Sequence, residues 1–203
     1  MSDDAHLVLP SEAVVVALQT VTEIVGLSGI RTVLRHAGLD TYMQDGKVAE
    51  GMEVTFGHIG QVSQALMDIY GPRGAAAMLR HAGSLQFTKW QEAYPGALGV
   101  AQIALKALPP MGRVRMVLKA VTVAAKQIVN VESSIDANGD KVVFKAYQCP
   151  YCSGVKADHK YCLTAVGALE AVTEWATGNK WSVEETACRA MGNDACVFEL
   201  NPV

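Results

Sequence analysis

The five cysteines constrain this chain more than any other feature, because all of them fall within its last quarter. They read Cys149-Pro150-Tyr151-Cys152, then Cys162 after a short polar stretch, then Cys188 and Cys196 on either side of Gly192-Asn193-Asp194. An odd number of thiols cannot all pair with one another, and a cytosolic chain keeps them reduced, so metal ligation or redox work is expected ahead of a disulfide framework. Zinc takes about four soft or borderline ligands in tetrahedral array, brought together from separate elements. With a hairpin turning at Gly192, Cys188 and Cys196 face each other on adjacent strands. Cys162, at the start of a helix over Cys162 to Ala176, reaches them if that helix packs across the hairpin. Glu185 lies an odd number of positions from Cys188, so regular alternation sends the two to opposite faces unless a bulge or the strand's beginning intervenes.

Upstream, apolar residues recur at helical spacing from Ser11 to Val25, and Gly26-Leu27-Ser28-Gly29 is expected to break that helix. A second, shorter helix over Ile30 to Ala37 ends at Gly38, a suitable left-handed terminator. The unit recurs: Ile59 to Tyr70 matches the first helix, Gly71-Pro72-Arg73-Gly74 the break, and Leu79-Arg80-His81-Ala82-Gly83 matches Leu34-Arg35-His36-Ala37-Gly38. Two copies are too few for a solenoid, and two similar helical hairpins in one domain are expected. Tyr42 to Phe56 reads as a loop with at most one short strand, and Phe87, Trp90 and Tyr94 form an aromatic cluster. Ala97 to Leu108 reads as a helix closed by Pro109-Pro110, and Met111 to Val129 as one with Met116, Val117 and Val121 on a broad apolar face ringed by Arg113, Arg115, Lys119 and Lys126.

At Val129 the pattern changes. Val131, Ser133 and Ile135 alternate, Ala137-Asn138-Gly139-Asp140 is a strong turn, and Val142 to Tyr147 follows, which makes a hairpin. The helix from Cys162 and the hairpin of Trp181 to Cys188 with Ala195 to Leu200 come next. The expected class is therefore α+β in a single domain over residues 1–203: a mainly helical part over 1–128 and a β-β-α-β-β antiparallel sheet part over 129–203. Half the residues are apolar and 18% are charged, enough for a sizeable core, while a net charge of -3 argues against a nucleic-acid binder working through a general basic surface. Met1 to Pro10 lacks a positive leader pattern, and no uninterrupted apolar run reaches the roughly 18 residues of a membrane span, so a cytoplasmic protein is expected.

The C-terminal block, a helix-start cysteine followed by Glu185-x2-Cys188-x7-Cys196 and the ending Val197-Phe198-Glu199-Leu200, resembles the 4-vinyl reductase domain family. That family includes sensor domains of phenol-responsive activators and proteins of bacteriochlorophyll synthesis. The resemblance implies a fold shared with nitric oxide sensors and with trafficking-complex subunits of Golgi transport, in which helices and a twisted antiparallel sheet enclose an apolar pocket. It also implies a homodimer and a structural zinc, carried here onto Cys162, Glu185, Cys188 and Cys196. The histidine and tryptophan that hold the phenol hydroxyl in the sensors have no matching positions.

Cys149-Pro150-Tyr151-Cys152 also resembles the glutaredoxin active-site pattern, in which the first cysteine is a nucleophile at a helix start. Here the helix begins near Cys162, and no internal proline follows to supply the opposing strand. The alternatives are that the pair joins a second metal site with His159 or adds ligands to the first. Three functional readings follow. One is a module binding a small apolar molecule (aromatic, hydrocarbon, lipid or tetrapyrrole) in a pocket walled by Phe87, Trp90, Met116 and Phe144, with about one zinc that has no open position for hydrolysis. A second is an accessory protein or enzyme of bacteriochlorophyll 4-vinyl reduction. Gly26, Gly29, Gly71 and Gly74 follow helices instead of strands, so no dinucleotide fingerprint supports an autonomous reductase. The third is a thiol switch through Cys149 and Cys152.

Overall fold

The computed structural model describes residues 4–41, 43–44, 47–48, 52–93, 103, 105–136 and 141–203. Helix α1 spans Ser11–His36, bending at Gly26 (φ 71°, ψ 170°) instead of ending there. Helix α2 spans Phe56–Ala93 and bends in the same way at Gly71 (φ 72°, ψ 161°), directly before Pro72. Such backbone angles are open to glycine and costly for other residues, so each expected break contracts to a single residue. The internal repeat is thus two long kinked helices, linked on their outer side by His36 Nε2 and Asp68 Oδ2 at 3.0 Å.

The two copies end differently. After α1, Gly38 takes φ 70°, and the Leu39 N–H reaches the Leu34 carbonyl at 2.8 Å, as in a glycine-capped helix end. Its counterpart Gly83 stops nothing, because α2 continues past it to Ala93. A Cβ on Gly83 would sit 1.9 Å from the Thr164 carbonyl oxygen, and one on Gly167 would sit 1.8 Å from that of Arg80. Both glycines let α2 meet helix α4 (Leu163–Thr177) backbone to backbone. Beside this crossing the Arg80 guanidinium donates to the Glu170 carboxylate, with Nε to Oε2 at 2.7 Å.

Two two-residue strands, β1 (Met43–Gln44) and β2 (Lys47–Val48), pair antiparallel where at most one was expected. The aromatic Tyr94, the turn 137–140 and most of the expected helix over 97–108 lie outside the described residues. Pro109-Pro110 opens an element as well as closing one, since Pro110 is the first residue of α3 (Pro110–Val129), where its missing N–H costs nothing. Strands β3 (Ser133–Asp136), β4 (Val142–Ala146), β5 (Trp181–Ala187) and β6 (Cys196–Pro202) form one antiparallel sheet in the order β3-β4-β6-β5. This is the expected β-β-α-β-β part, with α4 as its helix and a 3-10 turn over Arg189–Met191. Val142, Phe144, Ala146, Val183, Phe198 and Leu200 are its buried residues, joining Val166, Leu169 and Val172 of α4 in the core.

By length and composition alone α1 could cross a bilayer, with a mean hydropathy of 1.7 over 18 residues. A count of uninterrupted apolar runs does not register this, because Glu23 divides the helix. Val14, Leu18, Ile30, Val33 and Leu34 are buried in the shared core.

Gly83→Ala is expected to destabilise the fold by about 3 kcal/mol or more, since the added methyl meets backbone that cannot turn aside. Gly26→Ala, with no atom within 4 Å of the new Cβ, is expected to cost about 1–3 kcal/mol through backbone strain alone. Urea unfolding of the two variants measures both.

Candidate metal centre

Four separate pieces of chain deliver the donors. Cys149 and Cys152 lie in the turn that follows β4, Cys162 is the residue before α4, Glu185 is on β5, and Cys188 and Cys196 flank the turn between β5 and β6. Strand alternation carries Trp181, Val183 and Glu185 to the buried face. The register then slips between Glu185 and Ala187, and this bulge brings Cys188 back to the same side. The parity conflict between Glu185 and Cys188 is resolved in the way the sequence required.

All five thiols are at most 2% exposed and Glu185 is 3% exposed. Cys162 Sγ lies 3.4 Å from Cys149 Sγ, 3.8 Å from Cys188 Sγ and 3.5 Å from Cys196 Sγ, while Cys152 Sγ lies 3.5 Å from Cys196 Sγ. No pair is bonded as a disulfide. The Cys162 N–H donates to Glu185 Oε2 at 2.8 Å, whereas Oε1 of the same carboxylate is buried with no partner. A buried, unpartnered carboxylate oxygen beside sulfur donors costs free energy, and a cation removes that cost. The ligand atoms of Cys162, Glu185, Cys188 and Cys196 lie within 4.8 Å of one another, as do those of Cys149, Cys152, Cys162 and Cys196. Both sets fit a tetrahedral thiophilic ion such as zinc.

The protonation pattern points the same way. Burial holds Glu185 above the usual carboxylate range, and burial followed by the neighbouring sulfurs raises Cys162. Cys196 moves down because Cys149, Cys152, Cys162 and Cys188 direct S–H groups at it, and the Arg189 N–H adds a further contact at 3.4 Å. One thiolate is thus favoured inside a cluster whose other members resist ionising without a cation.

Other candidates fall elsewhere. His159 has a half-exposed side chain bonded to Asp158 and belongs to neither donor set. The reason is local: residues 156–160 are exposed or half-buried, and the chain turns inward again only at Tyr161. His81 is exposed. Phe87 meets Trp175 edge-on at 5.9 Å, Trp90 is half-buried on α2, and Phe144 packs on Phe198 at 6.3 Å in the sheet's buried face. Met116 is 51% exposed, because α3 buries the side carrying Val114, Val117 and Leu118. These four residues are not brought together, and none lines a described cavity.

The apolar cavity instead lies between α1 and α2, beside Leu18, Val21, Val62, Leu66, Gln86 and Tyr151, with a volume of about 30 Å³. The Tyr151 hydroxyl donates to Gln86 Oε1 at 2.8 Å, so a residue between Cys149 and Cys152 forms part of the cavity wall. Sequence reasoning missed Gln86 and Tyr151, since nothing in the spacing relates them. A second, open groove of about 610 Å³ runs past Gln64, Asp68, Lys156, His159 and Tyr161. Arg189 closes the site from outside, with Nη1 on the Asp194 carbonyl at 2.9 Å and Nη2 against Asp4 Oδ2 at 3.3 Å.

This is the α+β architecture of ligand-sensing domains. The structure resembles the crystal structure of the phenol-responsive sensory domain of the transcription activator PoxR with phenol, at 16% identity and a TM-score of 0.54, covering 74% of this chain and 77% of that one. It also resembles the Fe(II) unliganded H-NOX protein from K. algicida at 12% identity and a TM-score of 0.61, covering 96% and 97%. The H-NOX protein from S. oneidensis matches at 8% identity and 0.53, covering 93% and 98%. Residues 142–202, which hold β4, β5, β6 and every cysteine, match the 4-vinyl reductase domain family. No curated protein sequence matches the chain.

Chelator treatment is expected to lower the melting temperature by about 8–16 °C. The figure follows from about 4 kcal/mol of binding stabilisation at a thousandfold excess over Kd and about 2–4 °C per kcal/mol at this size. The pH dependence should also reverse. In the metal-free protein the raised Glu185 contributes stability that is full below the unfolded carboxyl pKa of about 4.3 and is lost as pH rises through the folded value. The metal-loaded protein gains stability over the same rise, because its ligands must be deprotonated. Melting curves with and without chelator between pH 4 and pH 7 (assay conditions, roughly bracketing that value) test the sign.

Proposed function

We propose that this protein binds a small apolar molecule between α1 and α2, and that a structural zinc on Cys162, Glu185, Cys188 and Cys196 fixes the sheet side of that site. The observation that carries the reading is the apolar cavity itself, walled by helix side chains and by Tyr151 from the cysteine turn. Its one polar feature of note is the Tyr151–Gln86 pair, placed to meet a hydroxyl or carbonyl at one end of an otherwise apolar ligand. At about 30 Å³ the resting cavity has room for roughly one or two water molecules, so binding displaces side chains before an aromatic ring fits.

Haem, whose redox potential has been modulated in a protein of similar fold, does not suit this site. No histidine lines the cavity, and burial raises the Tyr151 phenol, which disfavours its ionised, metal-binding form. A thiol switch is also poorly supported, since Cys149 and Cys152 are buried and place their sulfurs against Cys162 and Cys196 respectively, whereas reactive cysteines sit in accessible, electropositive places. A role beside a 4-vinyl reductase rests on the family match of residues 142–202 alone. The homodimer implied by that likeness belongs to the same reading, and sedimentation at micromolar concentration tests it.

Thermal shift and calorimetric titration with phenols, alkylbenzenes and medium-chain fatty alcohols test the binding itself. The expected result is saturable stabilisation of the native chain that Leu66→Trp abolishes by filling the cavity. Gln86→Ala should weaken hydroxylated ligands about 5- to 10-fold, as for one hydrogen bond, and leave alkylbenzenes unchanged. Stabilisation of equal size in the Leu66→Trp protein, or none with any ligand class, overturns the proposal.

A further inference from the structure

The two donor sets at the centre share an edge. Cys162 and Cys196 belong both to the set completed by Glu185 and Cys188 and to the set completed by Cys149 and Cys152. We infer that the centre holds two divalent thiophilic ions, the second bound by Cys149, Cys152, Cys162 and Cys196, with Cys162 and Cys196 as bridging thiolates. The inference builds on the zinc set of the reading above and adds to it a site with no carboxylate.

Three observations carry it. The first is spacing. A tetrahedral ion with metal–sulfur bonds of about 2.3 Å sets its sulfurs about 3.8 Å apart. The contacts Cys149–Cys162, Cys152–Cys196 and Cys162–Cys196 are 3.4, 3.5 and 3.5 Å, and Cys162–Cys188 is 3.8 Å. These are the edges of two tetrahedra joined along Cys162–Cys196. An iron–sulfur cubane holds each thiolate on a different iron and would spread the sulfurs further.

The second is connection. Cys149 and Cys152 stand in a C-x2-C turn, a usual chelating spacing for zinc, and each leg contacts a different shared cysteine, Cys149 touching Cys162 and Cys152 touching Cys196. A pair that merely filled space would have no reason to divide itself between the two bridging positions.

The third is charge. Five thiolates and one carboxylate carry six negative charges at full deprotonation, all buried. One dication leaves four of them, and two dications leave two, comparable with an isolated four-thiolate zinc site. Arg189 does not supply the difference, because its guanidinium is directed to the Tyr147 and Asp194 carbonyls and to Asp4. Loading the second ion releases thiol protons and involves no electron transfer.

Metal analysis and cobalt(II) titration of the metal-free full chain under reducing conditions test the inference. The wild type should take up two equivalents, and the double variant Cys149→Ser/Cys152→Ser one, with its sheet intact by circular dichroism. Cadmium-113 NMR of the wild type gives a readout that needs no variant: two resonances, one of four-sulfur and one of three-sulfur-one-oxygen type, coupled through the shared sulfurs. One equivalent in the wild type that the double variant retains overturns the second site and leaves the first standing. One equivalent that the double variant loses but Glu185→Gln keeps overturns the bridged pair and also the zinc set proposed above. No uptake at all overturns both.

Discussion

A buried cluster of five thiols and a carboxylate opposes folding unless something neutralises it. Glu185 brings one oxygen to the Cys162 N–H and leaves the other unpartnered, and desolvation of such groups costs on the order of 1–3 kcal/mol each, more when charged. The elements that meet there are those whose relative placement defines the domain: the end of β4, the start of α4, the bulge in β5 and the first residue of β6. A cation at their junction makes the same groups attractive to one another. The sheet's hydrophobic face is continuous with this site, since Cys196 pairs with Ala146 and Phe198 lies between Phe144 and Glu185 in adjacent strands. Metal loading and core packing therefore reinforce one another along one row of strands.

The fold was legible where its cause is local. The helical periodicity, the glycine kinks, the alternation after Val129 and the hairpin at Gly192 are short-range patterns, and the structure keeps them. Glu185 shows how far such reasoning reaches: parity alone demanded an irregularity before Cys188, and the register slip lies there. Gly83 shows its limit. It matches Gly38 in sequence, yet one glycine terminates a helix through its positive φ while the other removes a side chain from a helix crossing. Only the partner helix, 80 or so residues further along the chain (Gly83 to Gly167), distinguishes the two. The pocket walls were illegible for the same reason. Phe87 and Phe144 are large and apolar as pocket walls are, but their rings meet Trp175 and Phe198. Gln86 and Tyr151 meet across a separation that no motif records.

Identities of 8–16% with structures of the same architecture mean that little of the scaffold depends on particular side chains. A long kinked helix pair laid against an antiparallel sheet leaves a space whose contents each sequence decides anew. In this chain that space is lined mainly by aliphatic residues, with one phenol–amide pair.

The glycine-to-glycine crossing has a mechanical consequence. With α2 and α4 in backbone contact at Gly83 and Gly167, and Thr164 and Ala82 both on the cavity wall, two sides of the cavity are rigidly joined. The third side, α1, presents Ala17, Leu18 and Val21 and carries at Gly26 a joint with open space around it. The cavity is thus a vice with one fixed jaw and one hinged jaw, and the size of a guest is read out as the angle of the first half of α1.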